Sequence, residues 1–436
     1  MTRTDLLEKT SAARGRTVLI SGAGIAGSAL AYWLHRYGFV VTVVEKAGAV
    51  RDGGYPIDVR GTALDVVRRM GLLPRLRDAH IDLRRLTFLD EDGAEVASVD
   101  PYAVTGGVAG RDLEVRRGTL AGALHEVVRD DVEFLFGDSI DTLDQHRHGV
   151  DVTLRVGGRR TFDLVLGADG LHSHTRELLF GPEERFHRYL GYCFAGFTVR
   201  NTFGLVREAA MWNAPGRAAV LYAVGAGGDA HGILNFARPQ PPYEAYRDPQ
   251  AQLDLVTAVF ADAGWAVPGM LASLCDADDL FFDVVSQIRM PRWSRGRVAL
   301  VGDAAYAPSF LTGQGSSLAL VGAYMLAGSL AADKDHAAGL AAYERDTRAF
   351  VTLNQDGVGK GEAALFPTTA RALEQRNTML RSLDSAPPEE GRPAHAALVL
   401  PEFRRAAAAA ASPPPPVAPA TPISTTAHEP GPDTLN

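Results

Sequence analysis

The amino-acid sequence predicts an α/β protein that combines a parallel sheet, a second and mostly antiparallel sheet, and helices toward the C-terminal end. Three observations predict this class. Residues 17–46 read as strand, tight turn, helix and strand, because two short apolar runs flank a glycine-rich turn and an amphipathic segment. Residues 192–237 alternate strand-like runs with Gly and Asn turns, which indicates antiparallel strands. Residues 315–348 and 370–383 have helix-like sequence.

Composition limits the kind of protein. The chain has 436 residues, enough for two domains or more, and its 44 basic and 52 acidic residues give a net charge of -8. No basic stripe is evident, which argues against nucleic acid as a partner. Cys193 and Cys275 form no paired motif, so we expect reduced thiols in a cytoplasmic protein.

The apolar segments do not predict a membrane protein. Residues 1–16 lack the apolar core of a signal peptide, and we expect them to form a flexible leader. The longest apolar stretch, 318–332, is shorter than the roughly 20 residues that span a bilayer, and glycine and serine interrupt it. It is therefore predicted to be a buried helix.

The glycine-rich turn predicts a dinucleotide site. Gly22 allows a sharp turn, Gly24 lets a pyrophosphate approach the backbone, and Gly27 lets the helix pack closely on the strand. The helix N-terminus, at Ile25 and Ala26, offers unpaired N–H groups and the positive end of the helix dipole to phosphate.

An acidic residue closes the second apolar run of this unit. Glu45 lies about 20 residues after the turn, the spacing expected for a carboxylate that accepts hydrogen bonds from ribose hydroxyls. A carboxylate there would repel a 2′-phosphate, so FAD or NAD is favoured over NADP at this motif. Lys46, the next residue, is included in the predicted site.

The remaining elements follow from periodicity and turn residues. Residues 50–61 are predicted to form a loop, and 62–73 a helix that Gly71 and Pro74 end. The dipeptides Asp92-Gly93 and Gly157-Gly158 predict two hairpins. The further predicted strands are 86–89, 95–99, 132–136, 150–156, 161–166, 193–199, 218–224, 232–237, 281–289 and 298–301, and helices are predicted within 118–129 and 248–276.

Two later motifs resemble those of a known family. Residues 164–176, LVLGADGLHSHTR, resemble the DG signature of class A FAD-dependent aromatic monooxygenases, the para-hydroxybenzoate hydroxylase-like family. Residues 297–315, RVALVGDAAYAPSFLTGQG, resemble that family's GD motif, which ends in a GQG turn. The three motifs follow the family's order, and residues 53–72, GGYPIDVRGTALDVVRRMGL, are most similar to the tetracycline-degrading and polyketide-hydroxylating branch.

The resemblance implies the domain organisation. A Rossmann-like FAD-binding domain of the GR2 type would comprise residues 17–78, 110–176 and 286–345. A substrate-binding domain with a mixed, mostly antiparallel sheet would comprise 79–109 and 177–285, followed by a helical region at 346–400. The Ala- and Pro-rich composition of 401–436 predicts a disordered tail.

The resemblance also assigns cofactor contacts. It implies that Asp169 and Gly170 contact FAD, and that Asp303 accepts a hydrogen bond from the ribityl chain. Arg117 matches the family's arginine on a flavin-contacting helix, with Arg116 as the alternative one residue earlier. Amides after the GQG turn would stabilise negative charge at the pyrimidine edge of the flavin. The other implied cofactor-binding residues are Pro308, Gly313, Gly315 and Ser316.

The activity implied is that of a monooxygenase. FAD would be reduced by NADPH or NADH, react with O2 to form a flavin hydroperoxide, and hydroxylate or otherwise oxygenate an aromatic or polycyclic polyketide-type molecule. The cofactor carries this chemistry, so no catalytic side chain and no metal ligand are predicted. The pairs His146/His148 and His172/His174 are interpreted as solvated side chains.

The substrate is expected between the flavin and the 177–285 sheet. The resemblance favours Phe310 and Leu311 as contacts, and Tyr222 and Phe236 are further candidates that are equally well interpreted as core. The protein is expected to be a monomer or homodimer, without nucleic acid or membrane partners.

Three alternative functions remain open from the sequence. A flavin-dependent halogenase would share the scaffold, but its typical WxWxIP stretch is absent. A flavoprotein could bind a ligand without turning it over. A dehydrogenase could use NAD at the first glycine motif.

Overall fold

The computed structural model describes residues 15–50, 53–225, 227–246, 248–383 and 390–403. Most of the expected leader (1–14) and tail (404–436) lie outside the described residues. The inner ends of both segments differ from the prediction, because they pack on the fold. The Arg16 guanidinium donates a hydrogen bond to the Leu330 carbonyl at 2.6 Å, and the Phe403 ring lies 5.4 Å from the Tyr324 ring.

Strands come from most of the chain. They are β1 (Thr17–Ser21), β2 (Val40–Glu45), β3 (Pro56–Val59), β4 (Arg85–Leu89), β5 (Glu95–Val99), β6 (Leu113–Arg116), β7 (Glu133–Phe136), β8 (Ile140–His146), β9 (Gly149–Leu154), β10 (Gly158–Phe162), β11 (Leu164–Gly167), β12 (His187–Arg200), β13 (Glu208–Ala214), β14 (Arg217–Ala223), β15 (Asp229–Ala237), β16 (Phe281–Ile288), β17 (Ser294–Arg295) and β18 (Val298–Leu300).

Helices separate these strands and dominate the C-terminal part. They are α1 (Ile25–Arg36), α2 (Thr62–Arg69), α3 (Leu73–Asp78), α4 (Pro101–Thr105), α5 (Arg117–Glu126), α6 (His174–Phe180), α7 (Pro249–Phe260), α8 (Val267–Asp276), α9 (Asp303–Tyr306), α10 (Gly315–Ala332), α11 (His336–Gln355), α12 (Val358–Leu365) and α13 (Ala370–Arg381).

The first sheet is parallel apart from one edge strand, in the order β17-β18-β11-β1-β2-β7. Its central strands are buried on both faces, which explains continuous apolar runs such as 18–20. Helices α1 and α10 cover one face, and the antiparallel strands β8–β10 pack on the other. The carboxyl ends of β1, β11 and β18 meet at one edge, where ligands bind in sheets of this kind.

The second sheet has seven strands in the order β16-β12-β15-β14-β13-β4-β5, and only the β13–β4 pair is parallel. The prediction of a mostly antiparallel second sheet is therefore confirmed. One face packs against α7 and α8. The opposite face, called here the cleft face, contacts Leu311, Phe366 and Leu380 from the C-terminal half.

Some local predictions are wrong. Residues 50–61, predicted as a loop, contain β3, which is too short to show a period and is formed by pairing with β6. The sequence patterns also miss β8 and β13, because β8 is polar and β13 is rich in alanine. Pro74, predicted to end a helix, is instead the second residue of α3, where its missing N–H breaks no helical hydrogen bond. Both predicted hairpins are present.

Helix α10 lies in the core. It is long and apolar enough to cross a membrane by length and composition, but 78% of it is buried inside the protein. Gly322 in this helix leaves room for the Tyr306 hydroxyl, which a Cβ would overlap at 1.8 Å. The prediction of a buried helix is confirmed.

Candidate active site

The first glycine motif forms the turn between β1 and α1. Gly22 has φ +102°, and a Cβ there would lie 2.6 Å from the Ala168 carbonyl oxygen. A Cβ on Gly27 would lie 1.9 Å from the Gly22 carbonyl oxygen, so both positions require glycine. A Cβ on Gly24 would instead meet no atom of the described residues within 4 Å. The space over Gly24 is open, as the approach of a pyrophosphate requires.

Two features of this turn fit an anionic group with an adjoining sugar. No side chain among the described residues caps α1, whose first N–H groups belong to Ile25, Ala26 and Gly27. The Glu45 carboxylate accepts hydrogen bonds from the Ala23 N–H at 2.8 Å and the Ala47 N–H at 2.9 Å. A carboxylate oxygen has more than one acceptor site, so Glu45 retains capacity for ribose hydroxyls. The exposed Lys46 stands beside it.

Asp169 in the DG motif organises the loop that follows β11. Its carboxylate accepts from the Thr175 N–H at 2.9 Å and the Thr175 hydroxyl at 2.8 Å, and also from the Ser173 hydroxyl. These donors orient the loop after β11. Gly170, with φ +83°, has open space where a Cβ would lie. A direct FAD contact of Asp169 and Gly170 stays a prediction.

Arg176 connects the DG motif to the GD motif. Its side chain is fully buried and donates to the Ala304 carbonyl at 3.1 Å, to the Leu171 carbonyl at 2.8 Å and to the Glu183 carboxylate. Burial lowers the pKa of Arg176, and the neighbouring Glu183 carboxylate opposes that shift. The guanidinium therefore holds two cofactor loops in a fixed relation.

We expect Arg176→Met to lower the free energy of unfolding by about 3 kcal/mol, since it leaves the Glu183 carboxylate and two carbonyls without their buried partner. Urea denaturation of the purified protein measures this loss. Arg188→Met, an exposed position on β12, is the control and should change stability by less than about 0.5 kcal/mol. Equal stability of the two variants would contradict the role assigned to Arg176.

The GD motif places Asp303 at the same edge of the sheet. Asp303 begins α9 directly after β18 and is half-buried. Gly302, with φ +66°, approaches α1 so closely that a Cβ would lie 2.9 Å from Ala26 Cβ. Burial raises the pKa of Asp303, and the Arg117 guanidinium opposes the shift. Arg117 is thus near Asp303, whereas the exposed Arg116 ends β6.

The start of the loop from Ala307 to the GQG turn is held by two buried amides that the sequence motifs do not include. The Gln287 amide donates to the Pro308 carbonyl at 3.0 Å, and the Gln355 amide donates to the Ala307 carbonyl at 3.2 Å. Neither residue belongs to a motif. Only their nearly complete burial beside loop carbonyls marks them as important.

The GQG turn opens helix α10. Gly313 has φ +64°, and a Cβ there would lie 2.7 Å from the Asp58 carboxylate. No side chain among the described residues caps α10, so the N–H groups at Gly315 and Ser316 are available to an acceptor. This donor set fits the pyrimidine edge of a flavin. The two uncapped helices, the open space at Gly24 and the acids Glu45 and Asp303 together fit FAD.

Aromatic rings line the space between this edge and the cleft face. The Phe310 ring lies 5.0 Å from Phe194 and 5.9 Å from Phe366, and Phe194 lies 5.5 Å from Phe281. Tyr55 extends the row, 6.2 Å from Phe281. Phe310 and Phe281 are partly exposed, so the row offers an apolar wall of mutually tilted rings. Phe310 is a predicted substrate contact, whereas Phe281, Phe366 and Tyr55 belong to no sequence motif that would mark them.

The cleft face has an opening at the centre of β12. Gly196 pairs with Ile233 on one side and Phe281 on the other, and a Cβ on Gly196 would meet no atom of the described residues within 4 Å. By contrast, Gly232 on the helix-covered face would place a Cβ 2.7 Å from Val199. At these two positions, room for a larger side chain therefore exists on the cleft face, beside the aromatic row.

The other predicted substrate residues occupy different places. Leu311 is buried next to Tyr192 and Phe366, behind the row. Tyr222 lies on the cleft face. Phe236 does not face the cleft, because it packs in the helix-covered core with its ring 6.2 Å from Phe260. Alternation along β15 sends its side chain to that face, and this position does not support substrate contact.

His172 lies in a loop and is exposed, as predicted, but it has two carboxylate partners. Its two ring nitrogens lie 2.8 Å from the Glu183 carboxylate and 3.2 Å from the Asp283 carboxylate, so it joins the DG loop to β16. Two hydrogen bonds, the larger effect from Asp283 and the smaller from Glu183, raise the pKa of His172 to about 9. The sequence predicts the exposure of this histidine, and the structure adds the two carboxylates that it bridges.

We expect this bridge to stabilise the protein at low pH more than at high pH. The folded pKa of His172 exceeds the ordinary value of 6.5, so its contribution is complete below about pH 6.5 and is lost as pH rises through about 9. The difference in unfolding free energy between wild type and His172→Gln should shrink over that range. Because the side chain is about half exposed, the difference should stay below about 1 kcal/mol.

Urea denaturation at a series of pH values measures this difference. His148→Gln, at an exposed position, is the matched control and should show no such trend. A difference for His172→Gln that grows with pH would contradict the assignment.

Comparison with known proteins supports the assignment of this site to FAD. The model of the FAD binding domain family matches residues 16–195 and 282–357. An uncharacterised protein of Mycobacterium tuberculosis is 44% identical over 342 residues, covering 78% of this chain and 92% of that protein. A flavin-dependent monooxygenase from an unknown prokaryotic organism is 35% identical over 396 residues, covering 89% of this chain and 99% of that protein.

A solved structure is similar over nearly the same length. The crystal structure of tetracycline destructase Tet(55) superimposes with a TM-score of 0.77 at 34% identity, covering 89% of this chain and 99% of that chain. The family model, the relatives and the fold agree with the three motifs that meet at one sheet edge. The chain therefore belongs to the FAD-binding-domain family of flavin-dependent monooxygenases.

Proposed function

We propose that this monooxygenase hydroxylates a polycyclic molecule with phenol and enol groups, of the tetracycline type, using NADPH or NADH as reductant and O2 as oxygen source. The similarity to tetracycline destructase Tet(55) supports the substrate class. The observation that carries the proposal is the aromatic row on the cleft face, next to the open position at Gly196. A flat, fused-ring molecule matches such a wall better than a compact polar one.

The residues that would hold FAD follow from the site. The turn at Gly22–Gly27 and the N-terminus of α1 would bind the pyrophosphate, and Glu45 the ribose. Asp303 would accept from the ribityl chain, and the N-terminus of α10 would face the pyrimidine edge. When bound, FAD supplies hydride acceptance and oxygen activation.

The chain contributes binding and exclusion of water. The rings of Phe194, Phe281 and Phe310 would orient the planar substrate and keep water from the reacting region. The uncapped N-terminus of α10 supplies a positive potential that stabilises negative charge at the flavin edge. These roles require no acid or base from the motifs themselves.

Tetracycline-stimulated NADPH oxidation by the purified holoenzyme tests this proposal. We expect stimulation, and a product that has gained one oxygen atom from isotopically labelled O2. A product that gains chlorine in the presence of chloride would favour a halogenase instead. Tight binding of tetracycline without NADPH oxidation would favour a sequestering protein, and either result would overturn the proposal.

The proposal includes a cytoplasmic location and a monomeric or homodimeric state. Cys193 and Cys275 are free thiols, which supports a reducing compartment. Fractionation of the source cells and light scattering of the purified protein test these two points.

A further inference from the structure

Strands β3 and β6 bring two carboxyl groups together. In the antiparallel register Asp58 stands directly opposite Glu114, so both side chains lie on the same face of the two-stranded sheet. Val59 and Val115, at alternate positions, are buried in the main core. Asp58 and Glu114 therefore point away from that core. We call them the acid pair.

The acid pair lies between the cofactor edge and the cleft face. Asp58 lies against the GQG turn, where its carboxylate would contact a Cβ on Gly313 at 2.7 Å. Glu114 lies beside the hydroxyl of Tyr222, which comes from β14 on the cleft face. That hydroxyl is buried, and among the described residues it completes no well-formed hydrogen bond. The hydroxyl interacts with the Glu114 carboxylate, and its hydrogen-bonding capacity stays incomplete at the point where a ligand group would enter.

The charges around the pair do not balance two ionised carboxylates. Arg60 is the close cation, with a guanidinium nitrogen 2.5 Å from the Asp58 carboxylate and a side chain only 4% exposed. The more distant groups that face the pair are Asp112, Tyr102, Tyr222 and Arg392. Asp112 is already engaged, since its oxygens accept from the Val108 and Gly61 N–H groups.

Burial and mutual repulsion therefore favour one proton on the pair. Burial raises the pKa of Asp58, and Arg60 opposes the shift. Burial, together with the neighbouring Asp58, raises the pKa of Glu114 to about 7. Two carboxyls that share a site cannot both ionise easily, so the first deprotonates and the second retains its proton near neutrality.

We propose that Asp58 and Glu114 share one proton and act as the proton acceptor for an acidic hydroxyl of the substrate, in contact with Tyr222. The substrate O–H bond breaks, its proton passes to the ionised carboxylate oxygen of the pair, and the electron pair stays on the substrate oxygen. The ring becomes more electron-rich and accepts an electrophilic oxygen more readily. This role rests on the proposed function, because it requires a phenolic or enolic substrate.

Infrared difference spectroscopy of the holoenzyme without substrate tests the shared proton. At pH 7 the wild type should show a protonated carboxyl band that disappears as the pH rises. Glu114→Gln and Asp58→Asn should each remove this titration, whereas Glu126→Gln, at a half-exposed position on α5, should retain it. FAD content of each variant confirms that it is folded. A wild-type spectrum without such a band would overturn the proposal.

The pH profile of tetracycline turnover tests the catalytic role. In the wild type, kcat/KM should fall on the acidic side as the pair becomes fully protonated. Glu114→Gln should lower kcat by about 100-fold or more and remove this limb, while Glu114→Asp should restore it in part. Tyr222→Phe should raise KM more than it lowers kcat.

The outcomes separate the two proposals. If wild type oxidises tetracycline and Glu114→Gln keeps the wild-type pH profile, the acid pair is not the proton acceptor. If wild type neither binds nor oxidises tetracycline, the proposed function fails. The infrared titration then still decides on the shared proton.

Discussion

Gly24→Val is expected to weaken FAD binding by at least about 100-fold, or about 3 kcal/mol, while leaving the apoprotein folded. Gly24 has φ -73° and ψ -168°, a conformation that valine adopts without strain. Its Cβ would meet no atom of the described residues within 4 Å. The added side chain therefore occupies only the space that the pyrophosphate needs.

Flavin absorbance of the purified protein and a fluorescence titration with FAD measure the effect. Gly27→Ala is the contrasting variant, because its Cβ overlaps the Gly22 carbonyl and should destabilise the apoprotein itself. Gly122→Ala, in open space on α5, is the neutral control and should bind FAD normally. A Gly24→Val protein purified with full flavin content would contradict the assigned pyrophosphate site.

Gly196→Val is expected to lower kcat/KM for tetracycline by about 100-fold with FAD content and stability unchanged. Valine suits a strand, and its side chain would fill the opening on the cleft face without meeting the described residues within 4 Å at Cβ. The valine side chain would occupy the space of one ring of the planar substrate, so substrate binding should be weakened more than turnover of the bound substrate. NADPH oxidation in the absence of tetracycline should stay at the wild-type rate.

Steady-state kinetics with a flavin-content measurement test this expectation. Phe236→Leu is the matched control on the other face of the same sheet, and it should lower stability by about 1 kcal/mol without changing KM. If Gly196→Val turned over tetracycline normally while Phe236→Leu raised KM, the substrate site would have been assigned to the wrong face, and the helix-covered face would be the one that binds substrate.

The sequence predicted the cofactor edge because its residues are contiguous. Gly22, Gly24 and Gly27 act through the backbone geometry of one turn, so their roles are encoded in local spacing. Asp303 and the GQG turn likewise combine a strand end with a helix start in a single segment. The structure adds Gln287 and Gln355, which hold the loop between those elements from two separate parts of the chain.

The residues that would contact the substrate could not be predicted from the sequence as completely as those of the cofactor edge. Phe194, Phe281 and Phe366 come from three distant segments, and their sequence neighbours are aromatic or apolar in the same way as core residues. Which face of β12 or β15 points to the cleft depends on the register between strands. Phe236 was a reasonable candidate by residue type and lies on the other face.

The sequence by itself determined the α/β class and the mostly antiparallel second sheet, because apolar runs and turn residues specify local elements. It also indicated the flavin monooxygenase family, because three of its motifs resemble those of that family. Only the tertiary structure decided which aromatic side chains share a wall, where the sheet is open at Gly196, and that Asp58 stands opposite Glu114. Those facts depend on pairing and packing between segments far apart in the chain, and side-chain burial and charge are set by such long-range contacts.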